Sequence, residues 1–241
     1  MSEIYFNNIT NEILLSTTSG NTIVLEKIIP YDPVDGYSAF WKLNQDSYST
    51  DRFIDEFNSY EATDAGATFT TDHSGNTNGA VIFDGNLELV NLDAVWQPTG
   101  ATSRTICFWF YGDTNLDNAD TFFCYGNPSS GQAYIFDYET DASGVRISSY
   151  GSDVGSGFRP TGSTWVWMCS TYDGTTTKIY ADNVEILSAS QTLDTTLISN
   201  EAKIGGNTFY GAILDGYMSS ILIYNNKVLT SDERSKNMNN T

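Results

Sequence analysis

An all-β sandwich is the fold this sequence predicts, on three observations. Short runs rich in Val, Ile, Thr, Tyr, Phe and Trp recur along the chain, and these residues suit a pleated, half-buried surface. Turn signals separate the runs at strand-length spacing, among them Asp84-Gly85-Asn86, Ser143-Gly144, Asp173-Gly174, Asp182-Asn183 and Gly205-Gly206. Helical periodicity is confined to the C-terminal end, where Thr230-Ser231-Asp232-Glu233 offers an N-cap and an acidic first turn.

Taken in chain order, residues 1–36 read as an N-terminal β arm or small attachment element. Ile13-Leu14-Leu15 and Ile23-Val24-Leu25 flank a Ser19-Gly20-Asn21 turn, which predicts a hairpin. Pro30 and Pro33 then interrupt any ladder, because proline has no N–H to donate. Residues 37–241 form the main domain. Its strand candidates include residues 80–83, 104–111, 121–125, 134–138, 164–172, 178–181, 184–187 and 212–224.

Two of these, 104–111 and 164–172, are apolar or aromatic on both parities. Such strands are central, either covered on two faces or lining a groove with one of them. Trp165 and Trp167 share a face of their strand, as do Phe108 and Phe110 of theirs. Core packing is the expectation for Trp109 and Trp167, while the loop-like Trp96-Gln97-Pro98 leaves Trp96 between core and contact surface.

The chain has 241 residues and a formal net charge of -19, yet only 17% of it is charged and 14% is aromatic. That aromatic content can fill a core, which a disordered acidic segment cannot do. The acidity disfavours nucleic acid and anionic membrane surfaces as partners. Between Phe53 and Thr177 the basic residues are Arg104, Arg146 and Arg159, too few to track a phosphate backbone. No run approaches the about 18–20 apolar residues needed to span a bilayer, so membrane insertion is not expected. Residues 1–8 show neither a basic region nor a long apolar stretch of secretory type. Cys107, Cys124 and Cys169 lie far apart in strand-like surroundings and read as small buried hydrophobes.

The order of the runs resembles the laminin-G-like, concanavalin A-like jelly-roll family. The matching pieces begin with residues 39–44 (AFWKLN) and 79–85 (GAVIFDG), then 104–110 (RTICFWF) at that family's central strand. Trp165 leading into residues 170–174 (STYDG), residues 178–183 (KIYADN), 204–207 and 209–215, then 221–224 (ILIY) and the LTSDE exit at 229–233 complete the series. The resemblance spans residues 37 to about 236. It implies two antiparallel sheets in a jelly-roll sandwich, with a concave face and rim loops that host ligands. It covers lectins, adhesion modules and glycan-cleaving enzymes, so function has to be argued from the site.

Enzymes of that family usually carry Glu-x-Asp-x-Glu on one strand, and a glycosidase needs two carboxylates roughly 5–10 Å apart. The motif is missing here. The nearest cluster, Asp137-Tyr138-Glu139-Thr140-Asp141, adjoins a turn and reads as a solvated hairpin end. His73, the one histidine, lies in Thr71-Asp72-His73-Ser74 without a G-x-S-x-G elbow and reads as a solvated loop residue. A structural calcium is a candidate cofactor. The resemblance places Asp215 at the family's late acidic position, although the second acid of the usual pair is Gly216 here, and Asp35 is the candidate on the other side.

The function these features predict is a non-enzymatic display and recognition protein. Its partners would be a glycan or cell-surface receptor, through Trp96, Tyr125, Tyr134, Tyr150 and Tyr210 with Asp113, Asn127 and Asn207 as polar neighbours. Residues 1–36 would attach it to a capsid or tail protein on a virion surface, with assembly as a homo-oligomer a further expectation. A secreted carbohydrate-binding adhesin is the first alternative, and a polysaccharide-cleaving enzyme is the second.

Overall fold

The computed structural model describes residues 3–7, 12–19, 22–28, 33–56, 60–63, 67–85, 90–92, 96–112, 120–197, 202–207 and 211–241. The chain divides into two compact units, with the boundary between Pro33 and Val34. The first unit is an antiparallel sheet of β1 (Glu3–Asn7), β2 (Glu12–Ser19) and β3 (Thr22–Ile28), in the order β1-β2-β3. β2 and β3 pair in antiparallel register from Ser19↔Thr22 to Ile13↔Ile28, as the expected hairpin requires, and its turn residues Gly20 and Asn21 lie outside the described residues.

Val34 belongs to the second unit for a local reason. Its N–H donates to Asn237 Oδ1 at 2.8 Å, and its carbonyl accepts the Tyr224 hydroxyl at 2.8 Å. The residues up to Gly36 therefore fall past the boundary, which lies ahead of the predicted end of the arm.

In chain order the second unit begins with β4 (Ala39–Trp41), β5 (Arg52–Ile54), β6 (Glu61–Thr63), β7 (Phe69–Thr70) and β8 (Ala80–Asp84). There follow β9 (Val90–Leu92), β10 (Arg104–Gly112), β11 (Asp120–Gly126), β12 (Ala133–Glu139), β13 (Gly144–Ser148) and β14 (Val154–Gly155). The rest are β15 (Trp165–Tyr172), β16 (Thr176–Ala181), β17 (Val184–Ser190), β18 (Ala202–Ile204), β19 (Gly206–Asn207), β20 (Ala212–Ile213) and β21 (Asp215–Asn225). One helix, α1 (Ser231–Asn240), ends the chain, opened by the Thr230/Glu233 capping box. Among the described residues no helix is long and apolar enough to cross a membrane.

Sixteen of these strands form two antiparallel sheets of eight described strands each, and β19 and β20 pair as a separate two-stranded ribbon. The first has the order β17-β16-β15-β10-β21-β8-β7, with β4 also on β21, and the second β14-β13-β12-β11-β18-β9-β6-β5. The fold is the two-sheet jelly-roll sandwich that the resemblance implied. Strand alternation builds its core: Ile106, Phe108 and Phe110 of β10 point inward, where Phe108 and Phe110 meet Phe122 and Phe108 also meets Phe136. Gly205 has φ +79, and a Cβ there would come within 2.1 Å of the Phe83 ring, so this turn lets a ring of one sheet rest on backbone of the other.

A β-bulge in β21 alters which residues face out. The register moves from Cys107↔Leu222 to Trp109↔Ser219, three residues on β21 against two on β10, with Ser220 at φ +55. Met218, Ile221 and Ile223 consequently face the core, while Tyr217, Ser219, Leu222 and Tyr224 share the outer face.

Arg104 is fully buried at one end of the sandwich without an acidic partner among its hydrogen bonds. Its guanidinium donates to the Tyr125 hydroxyl at 2.6 Å, Thr195 Oγ1 at 2.9 Å, and the carbonyls of Gly100 and Thr102 at 2.7 and 2.9 Å. It thus ties β10 to β11 and to two loops through one planar group. Arg104→Met keeps the apolar stem but strands these acceptors, and is expected to cost about 3–5 kcal/mol. Thermal unfolding checks this as a fall in Tm of about 10 °C.

Candidate functional site

The same alternation that fills the core sends Cys107, Trp109 and Tyr111 of β10, and Trp165, Trp167 and Cys169 of β15, to the outer face of the first sheet. Half of that face is covered. Val34 and Leu229 cluster with Cys107, Cys169, Leu222 and Tyr224 and with Phe40 of the neighbouring β4, and α1 sets Arg234 3.6 Å above the Tyr180 ring. The other half carries aromatic side chains that are themselves the surface.

There, Trp165, Tyr111 and Tyr217 are register partners on three adjacent strands, and each is part-exposed. Tyr111 and Tyr217 stack with centroids 4.9 Å apart at 14°, and Tyr111 meets Trp165 at 5.5 Å. In the next register row, Trp109 lies beneath the imidazole of His73, stacked at 3.9 Å and 8°, and His73 meets Trp165 edge-on at 6.2 Å. Two strand spacings make the platform about 10 Å across. The exposed Ser74, Ser163 and Thr164 lie beside it in sequence.

A short loop holds His73 in place. Asp72 Oδ1 accepts the N–H groups of Ser74 and Asn76 at 2.9 Å, and its Oδ2 accepts the Asn76 amide at 3.0 Å. A Cβ on Gly79 would collide with the Asp72 carboxylate, so glycine closes this turn. Both Asp72 oxygens are thus engaged in the loop, and neither orients the imidazole. His73 Nε2 lies 3.0 Å from its neighbour Ser74 Oγ, which is not the three-group relay a hydrolase uses. Burial lowers the His73 pKa against the opposing pull of Asp72.

The acidic cluster of β12 is not the solvated hairpin end that the sequence suggested, except at Asp141. Asp137 is fully buried on the outer face of the second sheet. Arg146 donates to both of its oxygens at 2.9 and 3.0 Å, and to Glu139 at 2.6 Å. Burial pushes the Asp137 carboxyl up to about 6, with Arg146 opposing. Two carboxylates clamped on one guanidinium, one of them sealed from solvent, are a structural ion cluster. A shallow depression of about 300 Å³ beside β5 is lined by Asp46, Ser47, Ser49, Ile54, Asp55 and Glu56. It offers no aromatic face, Glu56 is ion-paired to Lys42, and Asp55 accepts the Tyr60 N–H.

The predicted contact residues fare as follows. Trp96, Tyr125 and Tyr134 are corrected to the core. Trp96 packs on Trp41 and Phe123, and Tyr125 stacks on Tyr134 at 5.3 Å, with its hydroxyl held by Arg104 and that of Tyr134 by Ser170. Asn207 is buried too, its amide donating to Thr121 Oγ1. Asn127 is part-exposed at the β11–β12 turn, bonded to Gln132, and part-exposed Tyr150 packs on Cys124, Ala133 and Ile135. Asp113 and Tyr210 lie outside the described residues.

The calcium pairing is corrected as well. Asp35 lies by the C-terminal end of β21, where its carbonyl accepts Lys227 Nζ at 2.9 Å, whereas Asp215 begins that strand opposite Asp84. The length of β21 separates the two by about 30 Å, so one ion cannot bridge them. Among the described residues no group of three or more His, Cys, Asp or Glu side chains could hold a metal. The platform residues His73, Trp109, Tyr111, Trp165 and Tyr217 were missed. The available signal was the shared parity of Trp109 with Tyr111 and of Trp165 with Trp167.

Comparison with known proteins supports this architecture. A family model described as the concanavalin A-like lectin/glucanases superfamily matches residues 84–233. Domain 4 of AbnA, a GH43 extracellular arabinanase from Geobacillus stearothermophilus, in complex with arabinotriose, is similar at TM-score 0.62 and 16% identity, covering 83% of this chain and 97% of that one. Trypanosoma rangeli sialidase in complex with sialic acid is similar at TM-score 0.60 and 15% identity, covering 98% of this chain and 43% of that one. The binding domain of Paraclostridial Mosquitocidal Protein 1 is similar at 0.59 and 13%, covering 83% and 51%. At these identities the likeness is one of fold, and this chain spans less than half of the sialidase. No curated protein matches the chain.

Two outcomes are expected here. With one histidine in the chain, a single imidazole resonance in the proton NMR spectrum should titrate below the ordinary 6.5. Because the unfolded chain then binds more protons, stability should rise with pH from the folded-state midpoint to about 6.5 and level off above it. Arg146→Met should cost about 3–5 kcal/mol at pH 7, because buried Asp137 loses its cation and is driven to take up a proton. Chemical denaturation at pH 5 should show a smaller deficit, since the raised Asp137 pKa lets that carboxyl take up a proton there.

Proposed function

The chain belongs to the concanavalin A-like lectin/glucanases superfamily, and from that premise we propose that it recognises a carbohydrate, without cleaving it, on the aromatic platform of its first sheet. The observation that carries the reading is the stacked, part-exposed group Trp109, Tyr111, Trp165, Tyr217 and His73, set on three neighbouring strands and the β7–β8 loop. Sugar rings present C–H faces that pack on aromatic rings, while their hydroxyls seek polar neighbours such as Ser74, Ser163 and Thr164. Burial keeps the imidazole neutral near pH 7, so the platform offers ring faces of no net charge.

The superfamily fold occurs in enzymes and in binding modules, and both appear among the similar structures. The presence of arabinotriose in the complex with the arabinanase domain supports the binding-module side. So does the chemistry of this chain's own carboxylates. Asp137 and Glu139 share Arg146, so this cluster does not offer the independent acid and base that glycoside hydrolysis requires. The compact sheet of β1 to β3 supports an attachment role for the N-terminal arm.

A glycan array probed with the full chain should give hits, and those hits should be quenched in Trp165→Ala and Tyr111→Ala. Truncating a central aromatic contact typically costs about 2 kcal/mol, so each variant should bind the best glycan at least about tenfold more weakly. An Asp137→Asn variant should bind as the parent does. An array without hits, or hits indifferent to both aromatic variants, would overturn the reading.

A further inference from the structure

We infer that Cys107 and Cys169 form a cross-strand disulfide when the chain folds in the presence of a thiol oxidant. The two residues are direct register partners on β10 and β15. Opposite residues of an antiparallel pair have Cα atoms about 4.5–5.5 Å apart, within the span a disulfide bridges. Both side chains point to the same outer face, and their Sγ atoms lie 2.7 Å apart, closer than two unbonded sulfurs normally rest. Neither residue is exposed, and they are buried in one cluster with Val34, Phe40 and Leu229. The third cysteine is an internal contrast. Cys124 is buried in the other sheet, where its Sγ faces the Gly206 carbonyl at 3.4 Å.

The oxidant is a small-molecule or protein disulfide, and the chemistry is exchange. The thiolate of one cysteine attacks an oxidant sulfur and releases the first oxidant thiolate, leaving a mixed disulfide. The second cysteine, as thiolate, attacks that mixed disulfide and releases the other oxidant thiolate. Both cysteines lose a proton, the pair loses two electrons, and the oxidant gains them as two thiols. Burial holds the Cys107 thiol in its protonated form in the folded chain, so the exchange belongs to the folding chain, before its cover closes. The loop closed runs from Cys107 to Cys169, long enough for the cross-link to stabilise the fold substantially by restricting the unfolded chain.

The test is to refold the full chain with oxidised glutathione and, in parallel, with excess reductant, then count thiols in denaturant. The expected result is three titratable thiols after reduction and one after oxidation, with a peptide map linking Cys107 to Cys169. The oxidised chain should melt about 5–10 °C higher. Cys124→Ser should retain the link, and Cys169→Ser should instead carry glutathione on Cys107 or keep free thiols. Three thiols remaining in the oxidised parent chain, or a link that uses Cys124, would overturn the inference.

Discussion

The two-sidedness of a central strand is the constraint on which this molecule depends. β10 and β15 carry large apolar side chains on both parities, so one set fills the space between the sheets and the other must be covered from outside. The inner set is satisfied by the second sheet. On the outer face, the Cys107 and Cys169 half is covered by the segment around Val34 and by α1 with Leu229, beside Phe40 of β4. Among the described residues, the half beyond Trp109 is covered by its own rings and His73, and what remains is a ring surface. A contiguous aromatic patch on a water-facing sheet loses free energy to hydration until something apolar lies on it. A sugar's C–H face is such a partner, and it leaves its hydroxyls to the water.

Charge placement works toward the same end. The chain holds 30 Asp and Glu against 11 Lys and Arg. Several of those few cations are drawn inside: Arg104 on hydroxyls and carbonyls, Arg146 on Asp137, and Arg234 on the Tyr180 ring. Arginine suits all three positions because its planar fork satisfies several acceptors at once and lies flat on a ring, which an ammonium does less well. Removing cations to the interior leaves the surface more negative than the composition suggests. An anionic ligand would meet repulsion there, whereas an uncharged polyol meets none.

The sandwich was legible in the sequence because its signals are local. Turn residues, β-branched runs and the Thr230–Glu233 cap each act within a few positions, and the expected hairpin, strands and terminal helix stand where they were read. The candidate contacts failed because they depend on which way a strand faces. Tyr125 and Tyr134 look available in the chain but share the inward parity of Phe123 and Phe136. The Asp137 cluster shows the converse: an acid beside a turn looks solvated until the cross-strand partner, Arg146, and the covering of the outer face are known. The bulge at Ser220 could not be read at all. It shifts β21 by one parity, and only that shift brings Tyr217 and Tyr224 to one side of the sheet.

Rigidity favours recognition at the platform over any site on the rim loops. Its rings stand on three hydrogen-bonded strands, locked by their own stacking, so a ligand would order little that is not already ordered. Among the described residues, the loop bearing His73 is the contribution from outside the sheet, and Asp72 fixes it by closing its turn. Such a surface binds by shape and contact area.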